Sequence, residues 1–153
     1  EEHKGLAAKQ MMMLNKAGEA LGKLKSVNAM TDVTGFGLLG HLGEMAEGSG
    51  LHAKIFFDKI PLITKDIPDY IIKGCVPGGT SRNLDSYGHK IDVMPEEQRA
   101  ILADPQTSGG LLIAVKKENA EEVVSVLKEF DLLKHSEPIG YFTGKKDLII
   151  SLG

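Results

Sequence analysis

Residues 31–41 read TDVTGFGLLGH, which puts a strand end, a Gly-rich turn and a helix start in immediate succession. Upstream, SVNAMTDV reads as a short strand. Downstream, Leu38, Leu39, Leu42, Met45 and Ala46 fall on one side of a helical wheel, and Gly48 and Gly50 are stop signals. Gly35 and Gly37 allow a close backbone approach and conformations closed to other residues. A strand, turn and helix in this order belong to a sheet with helices packed on it.

A second segment, LADPQTSGGLLIAV, runs from a polar turn into the continuous apolar stretch GGLLIAV, the pattern of a strand buried on both faces. Around these two segments the periodicity supplies further elements. Leu6, Met13, Ala17, Leu21 and Leu24 recur at helical spacing and predict one opening amphipathic helix. LHAKIFF alternates as a strand does. KIPLITKDIPDYIIKG holds a short helix between prolines, and CVPGGTSRN reads as a turn-rich loop. Pro95 opens a short helix, PEEQRAILA. Asn119 caps the next helix with Glu122 reaching back, and Val123, Leu127 and Phe130 form its buried stripe. IGYFTGKKDLIISL closes as a hairpin. The order predicts an α+β layered domain, an α/β sandwich with a mixed sheet, with the ferredoxin-like class as competitor. All 153 residues fit one domain, and an apolar content of 42% is enough for a core without disulfides.

The net charge of −3, with Lys and Arg scattered, argues against nucleic acid as the main partner. No apolar run reaches membrane-spanning length, and EEHKGLAAKQ lacks a signal-peptide core. The single cysteine, Cys75, points to a reducing, cytoplasmic setting.

The first motif raises an electrostatic question. Thr34 is placed to cap the helix, and the free N–H groups of its first turn favour an anion. Asp32 opposes one. A carboxylate about 4 Å from a phosphate costs roughly 4 kcal/mol at an effective dielectric near 20. A divalent cation between them reverses the sign, and Mg²⁺ is commonly held by one or two carboxylates plus phosphate oxygens. A plain strand-to-helix turn, with Asp32 bonded to its own backbone, is the competing account. In the second motif Asp104 and Pro105 mark a turn, Gln106, Thr107 and Ser108 offer hydrogen bonds, and Gly109 and Gly110 permit close approach. Backbone packing is the favoured account of those glycines, ahead of ligand presentation.

Taken together, AMTDVTGFGLLGH and DPQTSGGLLIAV, with MMMLN, IPLI and PGGTSRN, closely resemble the selenophosphate synthetase (selenide, water dikinase) family, within the wider aminoimidazole-ribonucleotide-synthetase superfamily. The resemblance covers most of the chain and is weakest over the last thirty or so residues. It implies transfer of the γ-phosphoryl group of ATP to selenide, giving selenophosphate, AMP and phosphate, with Mg²⁺ and K⁺. It implies a two-domain protein that dimerises through its N-terminal domain, of which this chain is the C-terminal domain and one wall of the Mg-ATP site. Asp32 matches a family aspartate that binds Mg²⁺ on the ATP phosphates, and Thr34, Gly35 and Gly37 match the turn beside it. For Asp104, Gln106, Thr107 and Ser108 the motif carries over but no chemical role does. The family's nucleophilic Cys or selenocysteine and its catalytic Lys match nothing here, so no catalytic residue is assigned and the isolated domain is expected to be inactive. Another ATP-using enzyme of the superfamily, or a non-catalytic nucleotide-binding or assembly module, is the alternative.

Other residues invite less. Cys75, in KGCVPGG, matches no catalytic loop and reads as structural. His41 borders its helix's apolar face and reads as packed, and His89 and His135 lack metal-ligand spacing. Met11 to Met13 cannot all face one core, which leaves part of the run for another domain or a partner chain. KKENAEE reads as a solvated helix start.

Overall fold

A computed structural model describes residues 3–153. The chain runs α1 (Leu6–Met11), α2 (Ala17–Leu21), β1 (Val27–Asp32), α3 (Gly37–Ser49), β2 (Leu51–Ile55), α4 (Ile67–Ile72), α5 (Gly78–Tyr87), α6 (Glu96–Leu102), β3 (Leu111–Val115), α7 (Ala120–Glu129), β4 (Gly140–Gly144) and β5 (Ile150–Leu152). The strands form two ladders. β1 pairs antiparallel with β3, Asp32 standing opposite Leu111. β2 lies at the centre of a mixed sheet, antiparallel to β4 and parallel to β5. This is the α+β layered class that the element order predicts.

The apolar run of β3 serves two cores. Leu112 enters the larger core, with Val33, Leu38, Leu39, Leu42, Ala53, Ile55, Leu102 and Ile150. Leu111, Ile113 and Val115 point the other way, onto Ala17, Leu21, Val123 and Leu127 of α2 and α7. Strand alternation thus explains why every residue there is apolar. Leu21, Leu39 and Ile150 are almost wholly buried, which stabilises the fold by about 2 kcal/mol per side chain.

Three expectations need correction. The predicted opening helix is two short ones, α1 and α2, because the segment between them docks on the second Gly-rich motif: Asn15 Nδ2 donates to the Gly109 carbonyl at 3.0 Å. The predicted C-terminal hairpin does not form, since β2 inserts between its two strands. That gives β5 backbone partners on both edges, as Ala53 N–H donates to Ile149 O at 2.8 Å and Asp92 N–H to Ile150 O at 2.9 Å. PGGTSRN is not a loop: it opens the ten-residue α5, with Pro77 at its N-cap and Thr80 and Asn83 buried.

At the ends of helices the agreement is finer-grained. Phe130, expected in the buried stripe of α7, lies just past the end of that helix and is 38% exposed, while Val123 and Leu127 are buried. Gly50, in the left-handed conformation at φ 64°, caps α3, whereas Gly48 lies inside the helix. Glu122 reaches Asn119 as expected, but it accepts from the Asn119 side chain (2.8 Å), and the cap makes no side-chain bond to the helix backbone. The same carboxylate accepts from Ser26 Oγ at 2.6 Å, a bond that holds its pKa below the ordinary carboxylate value.

Candidate functional site

The two Gly-rich motifs meet at one end of the β1–β3 ladder. Val33 N–H donates to Gly110 O at 2.9 Å, and the Thr34 carbonyl accepts from both Gly37 N–H and Gln106 N–H at 3.0 Å. Gly109 sits so close to β1 that a Cβ there would lie 2.1 Å from Val33 O. The packing account of Gly109 therefore holds. Gly110, by contrast, has open space where its side chain would be. From the N-terminal side, Asn15 binds Gly109 and Ser108 Oγ leans on the Met13 carbonyl at 3.4 Å. MMMLN and DPQTSGG, far apart in sequence, are neighbours in space.

α5 supplies the other support. Asn83 is buried, and its Nδ2 donates to Gly35 O at 2.9 Å and Ala103 O at 3.0 Å. Tyr87 Oη donates to Phe36 O at 2.6 Å. Burial pushes the Tyr87 phenol up to about 12, partly offset by the backbone N–H of Gly40. Sequence reasoning missed both residues, although the resemblance had picked out PGGTSRN. A polar residue on the inner face of α5 was the available signal, and it is visible only once that segment is known to be a helix.

Asp32 ends β1 with an exposed side chain. Among the described residues its carboxylate has no ion-pair or hydrogen-bond partner. Gly35 and Phe36 are also exposed, Phe36 at 53%, and nothing lies within 4 Å of a Cβ built on Gly35. Gly37, Leu38, Leu39 and Gly40 are buried. The open surface is thus the turn between strand and helix, and the first turn of α3 is packed away. Thr34 does not cap that helix: its Oγ1 lies 3.2 Å from His41 Nε2, and the cap position falls on Phe36. A threonine cap needs extended backbone next to N1, but the Gly37 N–H folds back to Thr34 O and puts two residues between them. Gly37 takes φ 69°, and a Cβ there would meet the Ala103 backbone at 2.7 Å.

In the second motif Asp104 is half-buried, and that burial raises its carboxyl pKa above the ordinary value. Gln106 and Ser108 are half-buried and Thr107 is exposed. Ser108 takes positive φ, 53°, at the tip of the turn. Among the described residues no three His, Cys, Asp or Glu side chains cluster as a complete metal site. Two shallow concavities, of about 120 and 280 Å³, lie elsewhere, and neither includes a residue of turns 32–37 or 104–110.

His41 is buried as expected, its Nδ1 3.4 Å from Glu44 Oε2 but not aligned for a hydrogen bond. Buried His52, which sequence reasoning passed over, is held by the Leu148 carbonyl (2.7 Å) and Ser151 Oγ (2.9 Å). The carbonyl can only accept, so Nδ1 carries the proton. Cys75 is exposed, after Gly74 at φ 76°. Its place is on the surface, outside both cores.

This fold and this paired-turn site belong to a known class: residues 2–153 match the family model described as AIR synthase related protein, C-terminal domain, and the chain belongs to that family. Within it, the chain is 55% identical over 128 residues to a selenide, water dikinase of Haemophilus influenzae, covering 84% of this chain and 37% of that protein. The corresponding protein of Sulfurimonas denitrificans is 48% identical over 147 residues, 96% of this chain and 42% of its own length. That of Pasteurella multocida is 54% identical over 125 residues, 82% and 35% of the two lengths. The chain spans little more than a third of the first of these relatives. A crystal structure of hydrogenase maturation protein HypE superposes with a TM-score of 0.50 at 19% identity, over 86% of this chain and 33% of that one, a likeness of fold alone. The resemblance drawn from the two motifs is borne out by these relatives.

Proposed function

We propose that this chain is the C-terminal domain of a selenide, water dikinase and that its turn 32–37 forms one wall of the Mg-ATP site. The observation that carries the reading is the convergence of both motifs on one exposed turn, with a carboxylate that has no partner among the described residues and an unobstructed Gly35. The donor set fits Mg²⁺ as a shared ligand. Asp32 offers one hard oxygen, and a metal on a nucleotide completes its shell with phosphate oxygens, water and groups from elsewhere in the protein. Bound there, the metal would neutralise charge on the phosphates. Asp32 would hold the cation side of that complex. Gly35 would let the backbone approach the phosphates, and Thr34 and Gly37 would fix the shape of the turn.

The chemistry is phosphoryl transfer from ATP to selenide, in which the protein mainly positions groups and balances charge. The reacting nucleophile and lysine belong, on this reading, to an N-terminal domain. That domain would also carry dimerisation in the cytoplasm, and the exposed Met12 and Leu14, at 74% and 73%, would offer it an apolar docking surface. K⁺ is the further ion the family reading includes.

Two measurements test this. The isolated chain is expected to melt cooperatively yet form no AMP from ATP in the presence of selenide, while the full-length protein does; turnover by this chain alone overturns the reading. Calorimetry with Mg-ATP on both separates it from a free-standing nucleotide-binding module, which would bind as tightly alone as in the longer protein. Cys75→Ser in the full-length protein is expected to leave the rate within about threefold and the stability within about 0.5 kcal/mol, as for an ordinary surface position. Loss of turnover in a folded Cys75→Ser protein would make that thiol a participant.

A further inference from the structure

We infer that Asn83 is a positioning residue for the nucleotide site: its one amide nitrogen fixes the Asp32-bearing turn against the Asp104 turn. The inference rests on the function proposed above. Asn83 Nδ2 has two N–H groups and two carbonyl partners, Gly35 O at 2.9 Å and Ala103 O at 3.0 Å. Those partners lie in different loops, 48 and 20 residues away. Gly35 is the open residue of the first turn, and Ala103 immediately precedes Asp104. The backbone contact between Gly37 and Ala103 sits beside the same bonds, since a Cβ on Gly37 would lie 2.7 Å from Ala103 C. Tyr87, one turn further along α5, takes the next carbonyl, Phe36 O at 2.6 Å. Two side chains of one helix therefore hold consecutive carbonyls of the exposed turn.

Carbonyls drawn toward α5 leave the opposite side of the turn, with Asp32 and the Gly35 α-carbon, toward solvent. No other side chain among the described residues bonds the backbone of Gly35 or Phe36. Without Asn83 the Gly35 and Ala103 carbonyls lose their side-chain donor and the two loops lose their common anchor. A displacement of about 1 Å in a positioned group can cost about 10²-fold in rate, and its first sign is in ligand affinity. A residue that only packs would instead move stability and leave affinity alone.

The test uses the full-length protein with Mg²⁺ and a non-hydrolysable ATP analogue, read by calorimetry, beside melting temperature and the KM and kcat for ATP. Asn83→Ala is expected to weaken analogue binding by about tenfold or more, and Tyr87→Phe, which keeps the ring, by about threefold or more. Leu127→Ala, in the other core, is the control: it should lower the melting temperature at least as much and leave binding unchanged. A folded Asn83→Ala protein that binds within about twofold of the unaltered one, while Asp32→Asn loses binding, overturns the inference and spares the function. If neither Asp32→Asn nor Asn83→Ala alters binding, the nucleotide reading of the turn fails and takes the inference with it. Should Asn83→Ala not fold, Tyr87→Phe decides: weakening by about threefold or more supports the inference, and binding within about twofold of the unaltered protein overturns it.

Discussion

Asp32→Asn in the full-length protein is expected to lower the rate of phosphoryl transfer by about 10²-fold or more, the usual cost of losing a positioned electrostatic element. The fold should change by no more than about 1 kcal/mol. The two side chains are nearly isosteric, the native one is exposed, and it has no partner among the described residues whose loss would propagate. The substitution removes charge and little else. If Asp32 holds Mg²⁺ on the ATP phosphates, the metal loses an anionic ligand, and added Mg²⁺ should restore part of the rate. If Asp32 only ends a strand, turnover and its Mg²⁺ dependence stay as they were. A titration of rate against Mg²⁺ for both proteins decides, and superimposable curves remove Asp32 from the site.

Asp32 was singled out on local grounds: a carboxylate beside a Gly-rich turn is an electrostatic contradiction that a cation would resolve. The elements around it were legible for a similar reason. α7 buries Val123 and Leu127 on one stripe, α3 is buried all round over residues 37–43, and β3 is apolar throughout because its two faces enter two cores. The pattern repeats every few residues, so a short window contains it. α5 was not legible. Gly78, Gly79, Thr80, Ser81 and Asn83 are all weak helix formers, and what stabilises the helix is tertiary: Asn83 and Tyr87 bonded to carbonyls 48 and 51 residues away. The break between α1 and α2 has the same origin, since Asn15 finds its partner 94 residues on. β4 and β5 each read as strands, but strand pairing is not written in either one, and the local guess of a hairpin gave way to insertion of β2. For the site the division is the same. The residues that face outward, Asp32 and Gly35, could be picked from the sequence. The residues behind the turn, Asn83 on the Gly35 carbonyl and Tyr87 on the Phe36 carbonyl, could not.

The glycines of the two turns should separate into those that the fold requires and one that only a ligand would require. Gly109→Ala is expected to destabilise the chain by about 3 kcal/mol or more, because its Cβ would sit 2.1 Å from the Val33 carbonyl oxygen, a backbone atom just past the β1–β3 ladder in a residue whose N–H is bonded to Gly110 O. Gly37→Ala should cost a similar amount: φ of 69° alone costs an L-residue about 1–2 kcal/mol, and the Cβ then meets the Ala103 backbone at 2.7 Å. Gly35→Ala differs on both counts. Its φ is not in the left-handed region, and nothing stands within 4 Å of the new carbon. Its melting temperature should match the unaltered protein or rise slightly, since Ala loses less backbone entropy on folding. Yet if phosphates lie against that backbone, one methyl group obstructs them, and binding of Mg-ATP to the full-length protein should weaken by about tenfold, or about 1.4 kcal/mol. Gly110→Ala, equally open but on the second turn, shows whether the ligand reaches that far. Melting curves and Mg-ATP calorimetry on these four variants distinguish the outcomes. A Gly35→Ala protein that is stable and binds Mg-ATP normally would move the nucleotide away from turn 32–37, whatever Gly109→Ala and Gly37→Ala do to the fold.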